Sequence, residues 1–147
     1  MYHKAMRWWF AVMAVLSAFT TTAAGAPKKA VTTPGANLLA TVPIRPGYYV
    51  DASEKCSSPM TVMKFQPNSV WTIHGDGTRH EQKFVSVTRQ GAEYALNFPR
   101  PRGGWDEQDP QAMMVQPQGP GRIDVTIQDT ASMQHCATEQ IPAKFRR

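Results

Sequence analysis

The stretch Arg122-Ile123-Asp124-Val125-Thr126-Ile127-Gln128, RIDVTIQ, alternates polar and apolar side chains without a break. Successive side chains of a β-strand point to opposite faces, so a period of two marks a strand with one buried face. Ile123, Val125 and Ile127 are expected inward; Asp124, Thr126 and Gln128 outward. A helix would show a sustained apolar period of 3.6 residues, and this stretch does not.

The same texture continues on both sides. Strands are predicted over 47–50, 60–65, 69–74, 78–89, 92–98, 112–115, 122–128 and 132–136. Trp71 and Ile73 share one face of their strand, Val70 and Thr72 the other; Tyr94, Leu96 and Phe98 share a face of theirs, and Val85 and Val87 alternate against Phe84. The breaks between runs carry turn residues: Pro67-Asn68, Gly75-Asp76-Gly77, Gln90-Gly91 and Pro117 to Gly121. Short consecutive strands joined by short turns pair antiparallel. The expected fold is therefore all-β: a small antiparallel meander that curls into a closed or nearly closed β-barrel of about eight short strands, with a β-sandwich as the alternative.

Cys56 follows the first predicted strand and Cys136 ends the last. They are the two cysteines of the chain and have no C-x-x-C spacing, so a disulfide is expected rather than a redox or metal pair. In the chain-entropy picture, closing a loop of this length constrains the unfolded state by about 4–5 kcal/mol. The bond would bring the two ends of the meander together.

The first residues carry the pattern of an export signal. Lys4 and Arg7 precede an apolar run from Trp8 to Phe19, and small residues follow. That run is short for a membrane span, which takes about 20 residues. The expected organisation is a signal peptide over 1–24, a flexible proline-rich linker over 25–46, a β domain over 47–143 and a basic tail over 144–147. Export would place the protein in the periplasm or outside the cell, without stable membrane insertion after cleavage.

The formal charge of +5 is unevenly spread. Between Gly47 and Ala143 there are 8 Lys and Arg against 11 Asp and Glu, so the basic excess lies in the ends. Nucleic-acid binding calls for a clustered basic stripe, and the body of the chain has none.

Several constellations are candidates for function. His74 and His80 flank the Gly75-Asp76-Gly77 turn, with Glu81 beside them. A cross-strand histidine pair supplies two metal ligands, and Asp76, Glu81 or His135 would have to supply a third. Period two puts His80 and Glu81 on opposite faces, which favours a solvated hairpin over a metal-dependent enzyme. His135 beside Cys136 would matter only if the thiol were free. No nucleophile elbow and no phosphate-cradling glycine loop is present. Asp106, Glu107 and Asp109 lack the spacing of a calcium loop.

The most distinctive segment is Pro99 to Pro110, PRPRGGWDEQDP. Long connections in compact β domains often carry function, and Arg and Trp dominate binding energy at interfaces. Arg100, Arg102, Trp105 and Asp106 are the expected binding residues. The general type is similar to small exported β-barrel proteins, including periplasmic inhibitors of cell-wall lysozymes, and that resemblance of architecture implies inhibitor-like binding. The expected function is thus a non-enzymatic, monomeric binding module, without cofactor or metal, for a protein or glycan of the bacterial envelope. The alternative is a carrier of an apolar ligand in a barrel interior lined by Tyr48, Tyr49, Phe65, Trp71, Phe84, Tyr94 and Phe98.

Overall fold

A computed structural model of the chain describes residues 37–100 and 111–146. The strands are β1 (Gly47–Asp51), β2 (Thr61–Gln66), β3 (Ser69–His74), β4 (Arg79–Lys83), β5 (Ser86–Gln90), β6 (Glu93–Asn97), β7 (Ala112–Gly119), β8 (Arg122–Thr126) and β9 (Thr130–Cys136). They form one nine-stranded sheet in the order β4-β3-β2-β1-β9-β8-β7-β6-β5, with every neighbouring pair antiparallel. The first strand pairs with the last, Tyr48 opposite Cys136 and Asp51 opposite Met133. The meander thus curls into a half-barrel, and its two edges, β4 and β5, are consecutive in the chain.

The single long strand expected over 78–89 is broken at Phe84-Val85. The break has a packing cause. Phe84 and Val87 are both buried, yet they stand three apart, and strict alternation would send them to opposite faces. The interruption resets the phase, so both turn inward while Val85, expected on the face of Val87, is 49% exposed. The break also ties the edges. Phe84 N–H donates to the Asn68 carbonyl (3.1 Å) and Val85 N–H to the Asn97 carbonyl (2.9 Å), on opposite sides of the gap.

Inside the curl, Tyr49, Phe65, Val70, Leu96, Met113, Val115 and Ile123 are at most 1% exposed and pack in one cluster. The connections of the meander alternate between its two ends. At one end a short 3-10 turn, Leu38–Thr41, inserts Leu38 and Leu39 into this cluster. Its backbone is fixed by Leu38 N–H on Asn68 Oδ1 (3.0 Å) and Leu39 N–H on the Pro67 carbonyl (2.9 Å). The Tyr49 hydroxyl donates to the Arg45 carbonyl (2.9 Å). Leu38, Leu39 and Val42, from the proline-rich segment, are thus docked on the domain.

A second layer covers the outer face of β1, β2 and β3. Tyr48, Val50, Val62 and Ile73 pack there against Cys136, Ile141 and Phe145, with Trp71 and Cys56 at the margin. Ile141 and Phe145 come from a single turn at Thr138–Gln140 and a short helix α1, Ala143–Arg146. Lys144 and Arg146, in the segment expected as a basic tail, thus flank the buried Phe145. Cys56 and Cys136 are bonded, with their Cα atoms 5.7 Å apart, and the disulfide sits in this outer layer.

Candidate functional site: the open end of the half-barrel

Among the described residues nothing plugs the end of the sheet away from Leu38–Thr41. The β1–β2 connection and the β8–β9 turn bound a cleft of about 620 Å³. Met63, Val125 and Met133, from the inner cluster, form its floor. Met60 and Ile127 stand at its rim, 76% and 40% exposed. Ile127 was expected to be buried with Ile123 and Val125. It keeps their phase, but the β8–β9 ladder ends at Thr126↔Thr130, so no neighbouring strand covers it. An alternating sequence gives the face of a side chain and leaves open whether the sheet extends far enough to cover it.

Asp51, Glu54 and Asp129 also line the cleft. The Asp51 carboxylate accepts hydrogen bonds from Ser53 N–H (2.8 Å) and the Ser53 hydroxyl (2.5 Å). These bonds favour the charged form and hold its pKa below the usual aspartate value. Glu54 Oε2 accepts the Met60 N–H (3.1 Å), which fixes the base of the exposed methionine. The connection is anchored to β9 by Ala52 N–H on the Ser132 carbonyl (2.9 Å) and by the Gln134 amide on the Glu54 carbonyl (2.6 Å). The rim therefore stands on fixed backbone. The disulfide reinforces this, because Cys56 lies within the same connection.

The histidine hairpin is folded as the sequence implies. His74 N–H donates to the Thr78 carbonyl (2.9 Å), and the Asp76 carboxylate accepts the Thr78 N–H (2.8 Å). Gly77 has φ +92°, while Gly75 is needed for a different reason: a Cβ there would stand 3.1 Å from the Met60 carbonyl. The His74 and His80 rings face each other edge-on, 6.0 Å between centroids, and His74 Nδ1 lies 3.3 Å from the Thr61 hydroxyl. Among the described residues no group of three His, Cys, Asp or Glu side chains is placed to hold a metal. Glu81 pairs opposite Trp71 and His80 opposite Thr72, so they face opposite sides. His135 packs on Tyr49 (5.2 Å between centroids) and Cys136 is oxidised, so no thiolate pairs with His135.

Of the expected recognition loop, Pro99 and Arg100 are exposed and residues 101–110, Arg102, Trp105 and Asp106 included, lie outside the described residues. The flanking strand ends are placed: Asn97 of β6 pairs with Ala112 of β7, at the same end of the meander as the cleft. The aromatic set expected to line one ligand cavity is divided. Tyr49, Phe65 and Phe84 are in the inner cluster, with Tyr94 and Phe98 against it, whereas Tyr48 and Trp71 belong to the outer layer.

No family model, curated protein or solved structure matches this chain.

Proposed function

We propose that this chain is an exported, non-enzymatic binding module that recognises a protein of the cell envelope through the open end of its half-barrel. The observation that carries the reading is the cleft itself, where two large apolar side chains, Met60 and Ile127, stand exposed over an apolar floor. Exposed apolar surface gathered in a concavity with a polar rim is the usual form of a recognition site, whereas a scattered apolar residue needs no explanation. Three of the lining side chains are methionines, whose unbranched thioethers adapt to the shape of what they contact. The filled interior of the curl argues for recognition at the mouth over a ligand carried inside. Export rests on the signal pattern of the first residues, with which a disulfide formed in an oxidising compartment is compatible.

The test is a paired capture. The mature protein and its Met60→Asp/Ile127→Asp variant are each used to draw binders from an envelope extract, with equal thermal stability checked first. Both residues are solvent-exposed, so the fold tolerates the change. A protein retained by the first and lost from the second supports the reading. An identical set retained by both overturns it.

A further inference from the structure

We infer that the partner segment which enters this cleft presents an apolar side chain flanked by lysine or arginine. The inference rests on the proposed docking role of the cleft and adds the chemistry of its occupant. The carboxylate of Asp51 comes from the end of β1, that of Glu54 from the β1–β2 connection and that of Asp129 from the β8–β9 turn, so negative charge lies on both banks of the apolar floor. Among the described residues that line the cleft there is no Lys, Arg or His. The charge on one bank is held in place, because Asp51 is fixed by two hydrogen bonds from Ser53 and Glu54 by the Met60 amide.

Complementary charge at a rim steers encounter and rejects like-charged partners more than it adds affinity. An acidic segment, or the face of an anionic membrane, would meet three carboxylates with no cation among the described lining residues to offset them. A sugar would ordinarily be held on an aromatic platform, and among the described residues no Trp, Tyr or Phe lines the cleft. A cationic segment with no apolar residue would leave Met60, Ile127, Met63 and Met133 in contact with water. The occupant that satisfies both the floor and the rim has an apolar side chain to displace that water and basic neighbours to meet the carboxylates.

The experiment uses the full mature chain with 13C-labelled methionine methyl groups, so that Met60, Met63 and Met133 report from inside the cleft. Three short synthetic peptides are titrated: a central Leu between paired lysines, the same Leu between paired glutamates, and a central Ala between paired lysines. The first is expected to shift all three methyl signals and to bind about tenfold tighter than either of the others, which corresponds to about 1.4 kcal/mol. Asp51→Asn/Asp129→Asn should remove most of that advantage, and added salt should reduce it. Asn at position 51 can still accept the Ser53 hydrogen bonds, so the connection keeps its shape. If the lysine and glutamate peptides with Leu bind alike, and Met60→Asp abolishes both, the inference about charge is overturned while the docking role stands. If the Ala peptide binds as well as the first, recognition is of charge alone and the inference is again overturned. If no peptide moves the methyl signals, the docking role falls with it.

Discussion

Tyr48 lies directly opposite Cys136 in the ladder that joins the first strand to the last, and Cys136 is bonded to Cys56. The seam that curls the meander is therefore held twice, by backbone hydrogen bonds and by a covalent link from the outer layer. The link also tethers the β1–β2 connection, which follows Asp51 and brings Glu54 and Met60 to the cleft.

Removing the disulfide with Cys56→Ser/Cys136→Ser should lower the unfolding free energy by about 2–5 kcal/mol, as is typical for small domains that depend on one such bond. Urea denaturation of the two proteins measures it. Part of the loss is expected as higher amide exchange across residues 52–60, because that connection loses its tether before the sheet opens.

Leu39 and Phe145 lie near the two ends of the described domain and pack on opposite sides of the sheet, and each is nearly fully buried. Phe145→Ala should cost about 3–5 kcal/mol and Leu39→Ala about 2–5 kcal/mol. The two effects should add, since the residues sit in separate clusters. The Phe145 change exposes Tyr48 and Val50, so tyrosine fluorescence should respond to it; chemical denaturation of the single and double variants tests additivity.

These two residues also mark where the sequence was hard to interpret. The strands were visible because Ile123-Asp124-Val125-Thr126 and its like repeat a period that only a half-buried strand satisfies. The closing seam followed from the positions of Cys56 and Cys136. Phe145, by contrast, is one apolar residue among Lys144, Arg146 and Arg147, and Leu38-Leu39 stand between a proline-rich stretch and Pro43. A lone anchor has no period, so burial by docking leaves no pattern to detect. The break at Phe84-Val85 carries no glycine or proline, and its signal was the mismatched phase of Phe84 and Val87. The cleft was hidden for a third reason. It depends on where the β8–β9 ladder stops, and the alternation of Ile123, Val125 and Ile127 continues past that point.

The pH dependence follows from Asp51 and Asp76, whose carboxylates accept hydrogen bonds from Ser53 and Thr78 and so have folded-state pKa values below the ordinary one. A depressed carboxylate stabilises the fold above its unfolded-state pKa, about 4, and that contribution is lost as pH falls through the folded-state value. Both groups face solvent, so the effect should be small. The melting temperature is expected to be level from neutral pH down to about pH 5 and to fall below about pH 4. In Asp51→Asn/Asp76→Asn the acid limb should be shallower, which a series of thermal melts would show.

The Asn97 side chain is the clearest local determinant of how the edge strand is held. Its amide nitrogen lies 3.1 Å from both the Ser86 and Thr88 hydroxyls and 3.4 Å from the Ser86 carbonyl, while the Asn97 carbonyl accepts the Val85 N–H. One residue of β6 thus holds the start of β5 and the neighbouring end of the break. Asn97→Ala leaves the backbone bond but removes the side-chain ones, each contributing about 1 kcal/mol. The variant should remain folded, because the inner cluster is untouched. Amide exchange at Val85, Ser86, Val87 and Thr88 should rise while that of β8, inside the sheet, stays unchanged. Uniformly faster exchange would mean that Asn97 supports the whole curl, and unchanged exchange at β5 would mean that Phe84 and Val87, buried in the core, hold the edge without it.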